Sequence, residues 1–369
     1  MPDEFDFQEI ASHFQLDGQF VSASRFGSGH INDTFLISVE GNPAVSSFIL
    51  QRINKYVFGD PAALMENISR VTEHLRNKNA RCLALIPTLD GKHFCNTPDD
   101  EFWRMYEFVP GAVAYDEVLN TRQAKDAAAM FGEFQELLDD LSGPRLNETI
   151  PNFHNTPVRY GHFHDAVQDD AYDRARHCRA EIDQALAWED EAGRLVTLLE
   201  MGKIPERITH NDTKLNNLLF DKASGQPICV IDLDTVMPGI ALYDFGDMVR
   251  TTTSPTAEDT TDLSSISLRL PYFEALVEGY VGTTFDFLTD LETEHLSISG
   301  KIITVETGLR FLTDYLCGDE YFGAERPTHN LDRSRTQFAL AASIEEQFDK
   351  MQNIVRRVAS RHGLFSGSY

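Results

Sequence analysis

Two polar turns, each set against a short apolar run, constrain this chain more than any other feature. The first lies within Ile208-Thr209-His210-Asn211-Asp212-Thr213-Lys214-Leu215-Asn216-Asn217-Leu218-Leu219-Phe220; the second, Asp232-Leu233-Asp234, follows Ile228-Cys229-Val230-Ile231. Such apolar runs read as short strands. The intervening Asp221-Lys222-Ala223-Ser224-Gly225-Gln226-Pro227 is a turn sequence, so the two runs can close as a hairpin. That hairpin would bring Asp212, Asn217, Asp232 and Asp234 together. Mg²⁺ takes a few carboxylate or carbonyl oxygens and leaves its other positions to water and phosphate, so these four side chains form a candidate site for it. Polar clusters are usually solvated loops, but here apolar residues follow Asn217 at once and a second acid pair ends the next apolar run.

The first turn also has the order His-x-Asp-x-x-x-x-Asn. This is the spacing of a kinase catalytic loop, in which the Asp accepts a hydroxyl proton and the Asn holds a metal. Asp212 is therefore the candidate base, with Asn217 and Asp232 the candidate metal ligands. Upstream, strand-like runs flank Phe26-Gly27-Ser28-Gly29-His30-Ile31-Asn32. Glycines at such a tip let backbone N–H groups approach phosphates, which makes Gly27 and Gly29 candidates for nucleotide contact. Ser46 to Ile53 reads as a third strand, where a kinase offers a Lys to the phosphates; here Gln51 or Arg52 stands in that place. A helix is expected over Pro61 to Asn77, with further strands at Leu83–Pro87 and Phe102–Val109, and Pro110-Gly111 marks a boundary. The expected fold is α+β and two-lobed like a protein kinase, with a small β-rich lobe over residues 1–109 and a larger, mainly helical lobe over 110–369.

The second lobe shows apolar residues at helical spacing, as in Ala127, Met130, Phe131, Phe134, Leu137, Leu138 and Leu141. Helices are expected from about 165 to 199, 296 to 316 and 334 to 361. Asp244 and Asp247 either brace the catalytic loop or open the next helix. Glu306, Arg310 and Asp314 fall at i, i+4, i+8, the pattern of a solvated face with ion pairs. His154, His162, His164 and His177 match no zinc spacing and read as loop or surface histidines. The five cysteines are scattered without a C-x-x-C pair, which suggests reduced thiols. Net charge is −26, which disfavours a nucleic-acid partner. The acidic start lacks the basic flank of a signal peptide and no long apolar span follows, so no membrane partner and a cytoplasmic location are expected.

The assembled residues resemble the aminoglycoside phosphotransferase and choline kinase superfamily, through His210-x-Asp212, Asn217, Ile231-Asp232 and the linker Tyr106-Glu107-Phe108-Val109-Pro110-Gly111. A closer resemblance, to the N-acetylhexosamine 1-kinases, covers nearly the whole chain. It rests on Ile10 to Phe14, Gly29-His30-Ile31-Asn32, Thr209 to Leu218, Ile231 to Thr235, Arg310-Phe311-Leu312, Asp314-Tyr315-Leu316 and Tyr321-Phe322. The resemblance implies ATP bound between the lobes at Gly27, Gly29, Gln51, Tyr106, Glu107 and Phe108, with Mg²⁺ at Asn217 and Asp232. It implies a sugar held by His30, Asp212, Arg310 and Tyr321, and phosphorylation of its anomeric hydroxyl. The absent third-strand Lys departs from the superfamily pattern. Two alternatives stand beside this reading: a kinase of the same fold acting on another sugar, an amino alcohol or an aminoglycoside, and an inactive nucleotide-binding module. Oligomeric state is not legible.

Overall fold

Phe35, Ile37 and Val39 alternate with more exposed neighbours, and that period of two builds an inner strand of the first lobe. In the structure, a computed structural model that describes residues 5–27, 31–41 and 45–365, five strands form an antiparallel sheet. They are β1 (Gln19–Arg25), β2 (Asp33–Glu40), β3 (Val45–Ile53), β4 (Cys95–Asn96) and β5 (Phe102–Glu107), in the order β1-β2-β3-β5-β4. Helix α1 (Phe7–Ser12) covers one face, where Phe7, Ile10, Phe35, Leu50, Trp103 and Met105 share a core. The expected strand at Leu83–Pro87 is not a full strand: Leu85 bridges Tyr106, and Glu107 N–H donates to Ala84 O. Helix α2 (Pro61–Asn77) has the expected bounds, begun by Asp60, whose carboxylate accepts from the amides of Ala62 and Ala63.

Beyond the linker the chain is mainly helical. A short sheet of β6 (Ala112–Val113), β8 (Leu218–Asp221) and β9 (Pro227–Val230) and a pair of β7 (Arg207–Thr209) with β10 (Met237–Gly239) carry the polar turns. Around them stand α3 (Thr121–Leu138), α4 (Thr156–Asp169), α5 (Arg179–Ala192), α6 (Arg194–Glu200), α7 (Ala241–Thr253), α8 (Leu270–Thr284), α9 (Asp290–Glu294), α10 (Leu296–Leu316), α11 (His329–Glu346) and α12 (Phe348–Arg361). Phe131, Phe134, Phe245, Phe273, Tyr280 and Ile303 belong to the large core that joins α2 to these helices.

Two expected helices are broken. The span 165–199 divides into α4, α5 and α6: Asp170 turns left-handed at φ 36° and its carboxylate caps the amides of Arg174 and Ala175. The span 334–361 divides at Gln347, whose side-chain amide donates to Leu268 O. All five cysteines are free, and among the described residues no helix is long and apolar enough to cross a membrane.

Candidate active site

The two polar turns meet because β7 pairs with β10 and β8 with β9. Ile231 N–H donates to Asn217 O at 2.9 Å, and His210 Nε2 lies 2.9 Å from Ile231 O. A carbonyl only accepts, so His210 carries its proton on Nε2; Nδ1 then accepts from Asp212 N–H at 3.3 Å. Fully buried and met edge-on by Phe131 and Phe134, His210 is a structural pin for the backbone of the next turn.

Asp244 braces the loop from α7. Its carboxylate accepts from the amides of His210 (2.9 Å) and Asn211 (2.7 Å), and from the Gln135 side chain. Burial raises its pKa, against the opposing pull of those donors. Asp247 does something else: one oxygen pairs with Arg250 at 2.8 Å, while Oδ2 is buried and has no hydrogen-bond partner among the described residues. Asn211 sits at φ 65°, a conformation costly for most residues but tolerated by Asn, and both ends of its side-chain amide are bonded.

Asp212 is 24% exposed, and its two oxygens are bonded separately. Lys214 Nζ lies 2.8 Å from Oδ1, and Asn217 Nδ2 donates to Oδ2 at 3.0 Å and to the Asp212 carbonyl at 2.7 Å. Burial opposes the charge on Asp212, but Lys214 outweighs it and holds the carboxyl below its ordinary range. Sequence reasoning passed over Lys214, although it stands within the catalytic-loop motif. Asp232 lies left-handed at φ 58°. Burial first, then the neighbouring carboxylates of Asp234 and Asp212, push its pKa up to about 6. Three acids thus crowd one corner, with Asp234 buried, Asp212 partly exposed and Asp232 open to solvent, an arrangement a divalent cation would relieve. Among the described residues no group of three or more His, Cys, Asp or Glu side chains has metal-binding geometry. One or two carboxylates suffice for Mg²⁺ when phosphate supplies further oxygens, and the acceptor end of the Asn217 amide adds another.

From the first lobe, Asn32 Nδ2 donates to Asp234 Oδ2 at 2.6 Å. Gln51 Nε2 donates to Thr34 Oγ1 at 3.0 Å, and Gln51 Oε1 accepts from Arg104 Nε at 3.0 Å. Arg52, the other candidate for the Lys position, instead pairs with Asp33. Gly27 is left-handed at φ 77°; Gly29 and His30 lie outside the described residues. In the linker Tyr106 is buried beside Arg104, Glu107 is exposed, and Phe108 meets Phe26 edge-on at 5.9 Å.

The face expected to be solvated at Glu306, Arg310 and Asp314 is buried at its first and last members. Glu306 accepts from Thr156 Oγ1 at 2.6 Å and lies 2.8 Å from His154 Nδ1, while His154 Nε2 meets Asn211 O at 3.0 Å. His154 is therefore no surface histidine; it joins α10 to Asn211, the residue before Asp212. Asp314 accepts from the amides of Tyr321 (2.8 Å) and Phe322 (2.9 Å) and so fixes that turn. Arg310 lies against Phe153 (5.3 Å), Tyr321 (5.9 Å) and Phe322 (5.4 Å), and among the described residues its guanidinium has no hydrogen bond or ion pair. Tyr321 is 62% exposed.

Residues 22–278 match the model of the phosphotransferase enzyme family. Among solved structures, an aminoglycoside phosphotransferase from Alicyclobacillus acidocaldarius superposes with a TM-score of 0.62 at 13% identity, covering 98% of each chain. An amicoumacin kinase bound to AMP-PNP and Ca²⁺ gives 0.61 at 13% identity, over 91% of this chain and 93% of that one. A microcompartment-associated aminopropanol kinase gives 0.57 at 17% identity, over 94% of this chain and 97% of that one. At these identities the likeness is one of fold, and the fold is the two-lobed one expected from the sequence.

Proposed function

The chain belongs to the phosphotransferase enzyme family, and from that premise we propose that it transfers the γ-phosphoryl group of ATP to the anomeric hydroxyl of an N-acetylhexosamine. On this reading residues 1–109 form the nucleotide lobe and 110–369 the catalytic and sugar lobe. The adenine lies along Tyr106, Glu107 and Phe108, and the phosphates pass under Gly27 and Gly29. Mg²⁺, when bound, neutralises charge that gathers on the phosphate oxygens during transfer. Asn217 and Asp232 are the residues that would hold it, and the cation deficit around Asp232 fits that role. The amicoumacin kinase of the same fold is known with an ATP analogue and a divalent ion in place.

Asp212 is the group positioned to take the acceptor's proton. Phosphoryl transfer through a loose transition state asks for orientation more than for a strong base. A carboxylate held ionised by Lys214 is a weak base, and an anomeric hydroxyl, more acidic than an ordinary alcohol, suits it.

One observation carries the choice of acceptor: Arg310 presents unused donors from a wall of aromatic rings. Aromatic faces pack against the C–H face of a sugar, and a planar guanidinium fork suits neighbouring hydroxyl or carbonyl oxygens. Arg159 stands close enough that, after burial, the like charge of Arg310 is what lowers its pKa. Two neighbouring cations favour a neutral sugar over an amino alcohol or an aminoglycoside. Arg310, Tyr321 and His30 are the residues assigned to it.

The test is ADP release with Mg-ATP across N-acetylglucosamine, N-acetylgalactosamine, glucose, galactose, choline and kanamycin, with the product position read by phosphorus NMR. A sugar 1-phosphate from the N-acetylated pair is the expected result. Phosphate on another hydroxyl, or turnover confined to the amines, would remove the acceptor assignment and leave the kinase.

A further inference from the structure

Kinases hold the nucleotide's phosphates with a third-strand Lys, itself paired to an acid on the helix that follows. Neither chemistry is at its usual address here. Gln51 occupies the strand position. Helix α2 turns Met65 toward the sheet, its sulfur 3.9 Å from Arg104 Nη1, while the acid beside it, Glu66, is exposed and bonded to Asn147.

The charge has moved one strand across. Gln51 and Arg104 are opposite each other in the antiparallel β3–β5 pair, so both side chains leave the same face of the sheet. The acid has moved as well, into the other lobe. Both terminal nitrogens of Arg104 bond to the carboxylate of Asp234, with Nη2 at 2.9 Å from Oδ2, and Asp234 stands two residues beyond Asp232. The pair is almost fully enclosed, with side-chain exposures of 1% and 3%.

We propose that Arg104 and Asp234 replace the missing Lys–acid pair, with Arg104 acting as the positioning residue that fixes the Asp232 turn under the nucleotide's phosphates. The proposal rests on the nucleotide half of the function above and is independent of the acceptor. Stability alone does not account for the pair, because a well-packed apolar substitute usually serves a buried site as well. A guanidinium stays charged at any working pH and grips a carboxylate at two points, so it fixes orientation as well as charge. The Gln also gains a reason: donating to Thr34 orients its carbonyl toward Arg104, where a Lys would place a second cation beside the first.

The experiment titrates the full chain with Mg²⁺ and a non-hydrolysable ATP analogue by calorimetry, without any sugar, and records melting temperature as the control for folding. The variants are R104K, which keeps the charge but not the fork, and R104M/D234L, which removes both charges and leaves neither buried alone. Expected is a folded R104M/D234L that binds the Mg-nucleotide about ten- to a hundredfold more weakly, with R104K between it and the wild type. A folded R104M/D234L with wild-type affinity overturns the proposal. If that variant does not fold, R104K decides: unchanged affinity for the Mg-nucleotide overturns it and a loss supports it. Because no acceptor is present, a wrong sugar assignment leaves the result intact, whereas a wild-type chain that binds no Mg-nucleotide defeats the reading of the site beneath it.

Discussion

Asp212 is bonded on one side by an ammonium and on the other by an amide, and each partner defines one of its oxygens. Asp212→Asn keeps the shape and removes the proton acceptor. Turnover of the acceptor should fall by about 10²- to 10⁴-fold, while the circular-dichroism melt stays close to wild type; an unchanged rate would remove Asp212 from the chemistry. The His154–Glu306 pair makes a second residue-scale prediction. Burial opposes the charge on His154, but Glu306 overrides it and raises the imidazole pKa; burial likewise opposes Glu306, whose pKa His154 lowers. The His154 contribution to stability is therefore complete below about pH 6.5 and fades as pH rises through the higher folded value. The Glu306 contribution is complete above about pH 4.3 and fades as pH falls. Melting temperature should decline on the alkaline side of this window more steeply for wild type than for His154→Gln, as followed by thermal melts from neutral to alkaline pH. That Asp212, Asn217 and Asp232 come together was legible in the sequence, because the turn signal between the two apolar runs implies the hairpin that joins them. His154 and Arg104 were not: their acids lie 152 and 130 residues away, and no local pattern announces such a pairing.

Among the elements, α10 carries Arg310 and α7 carries Asp244, the brace for the His210–Asp212 turn, and they touch through glycines. A methyl group at Gly246 would lie 2.6 Å from Ser299 O and from Ile303, and one at Gly300 would lie 2.7 Å from a Val249 methyl. Gly246→Ala must push against backbone, so it should cost about 1–3 kcal/mol, seen as a lower denaturant midpoint. A midpoint unchanged from wild type would mean that the two helices are not packed this tightly. Element type was largely readable, since α2 and α3 show their buried faces as periodic Leu, Ile, Val, Ala and Phe residues. Breaks were harder. Apolar periodicity runs on across Asp170 and Gln347, and what ends the helices there is a carboxylate or amide bonded to other backbone. Burial of Glu306 and Asp314 escaped notice for a related reason: charges at helical spacing look alike whether they face water or a buried His and a pair of amides.

At the scale of the whole molecule, 58 acids against 32 bases leave a surface that repels itself. Salt shortens the reach of that repulsion from about 30 Å at 0.01 M to about 8 Å at 0.15 M. Melting temperature should therefore rise over that range, and a fall would show that favourable ion pairs outweigh the net charge. Beneath that surface, Asn32 and Arg104 of the first lobe both grip Asp234 of the second, beside the apolar core that joins α2 to the helices.

The amide of Gln51 has one more consequence, for chemical profiling. Acylating nucleotide probes mark kinases on the amine beside the phosphates, and at this strand they would find a carboxamide and a guanidinium, neither of which is acylated readily. Lys214 places an amine 2.8 Å from Asp212. A mark placed there would block trypsin at that residue and appear on the peptide Ile208 to Lys222, so a survey that searches for labelled third-strand lysines would pass this enzyme by, while its catalytic loop carried the tag.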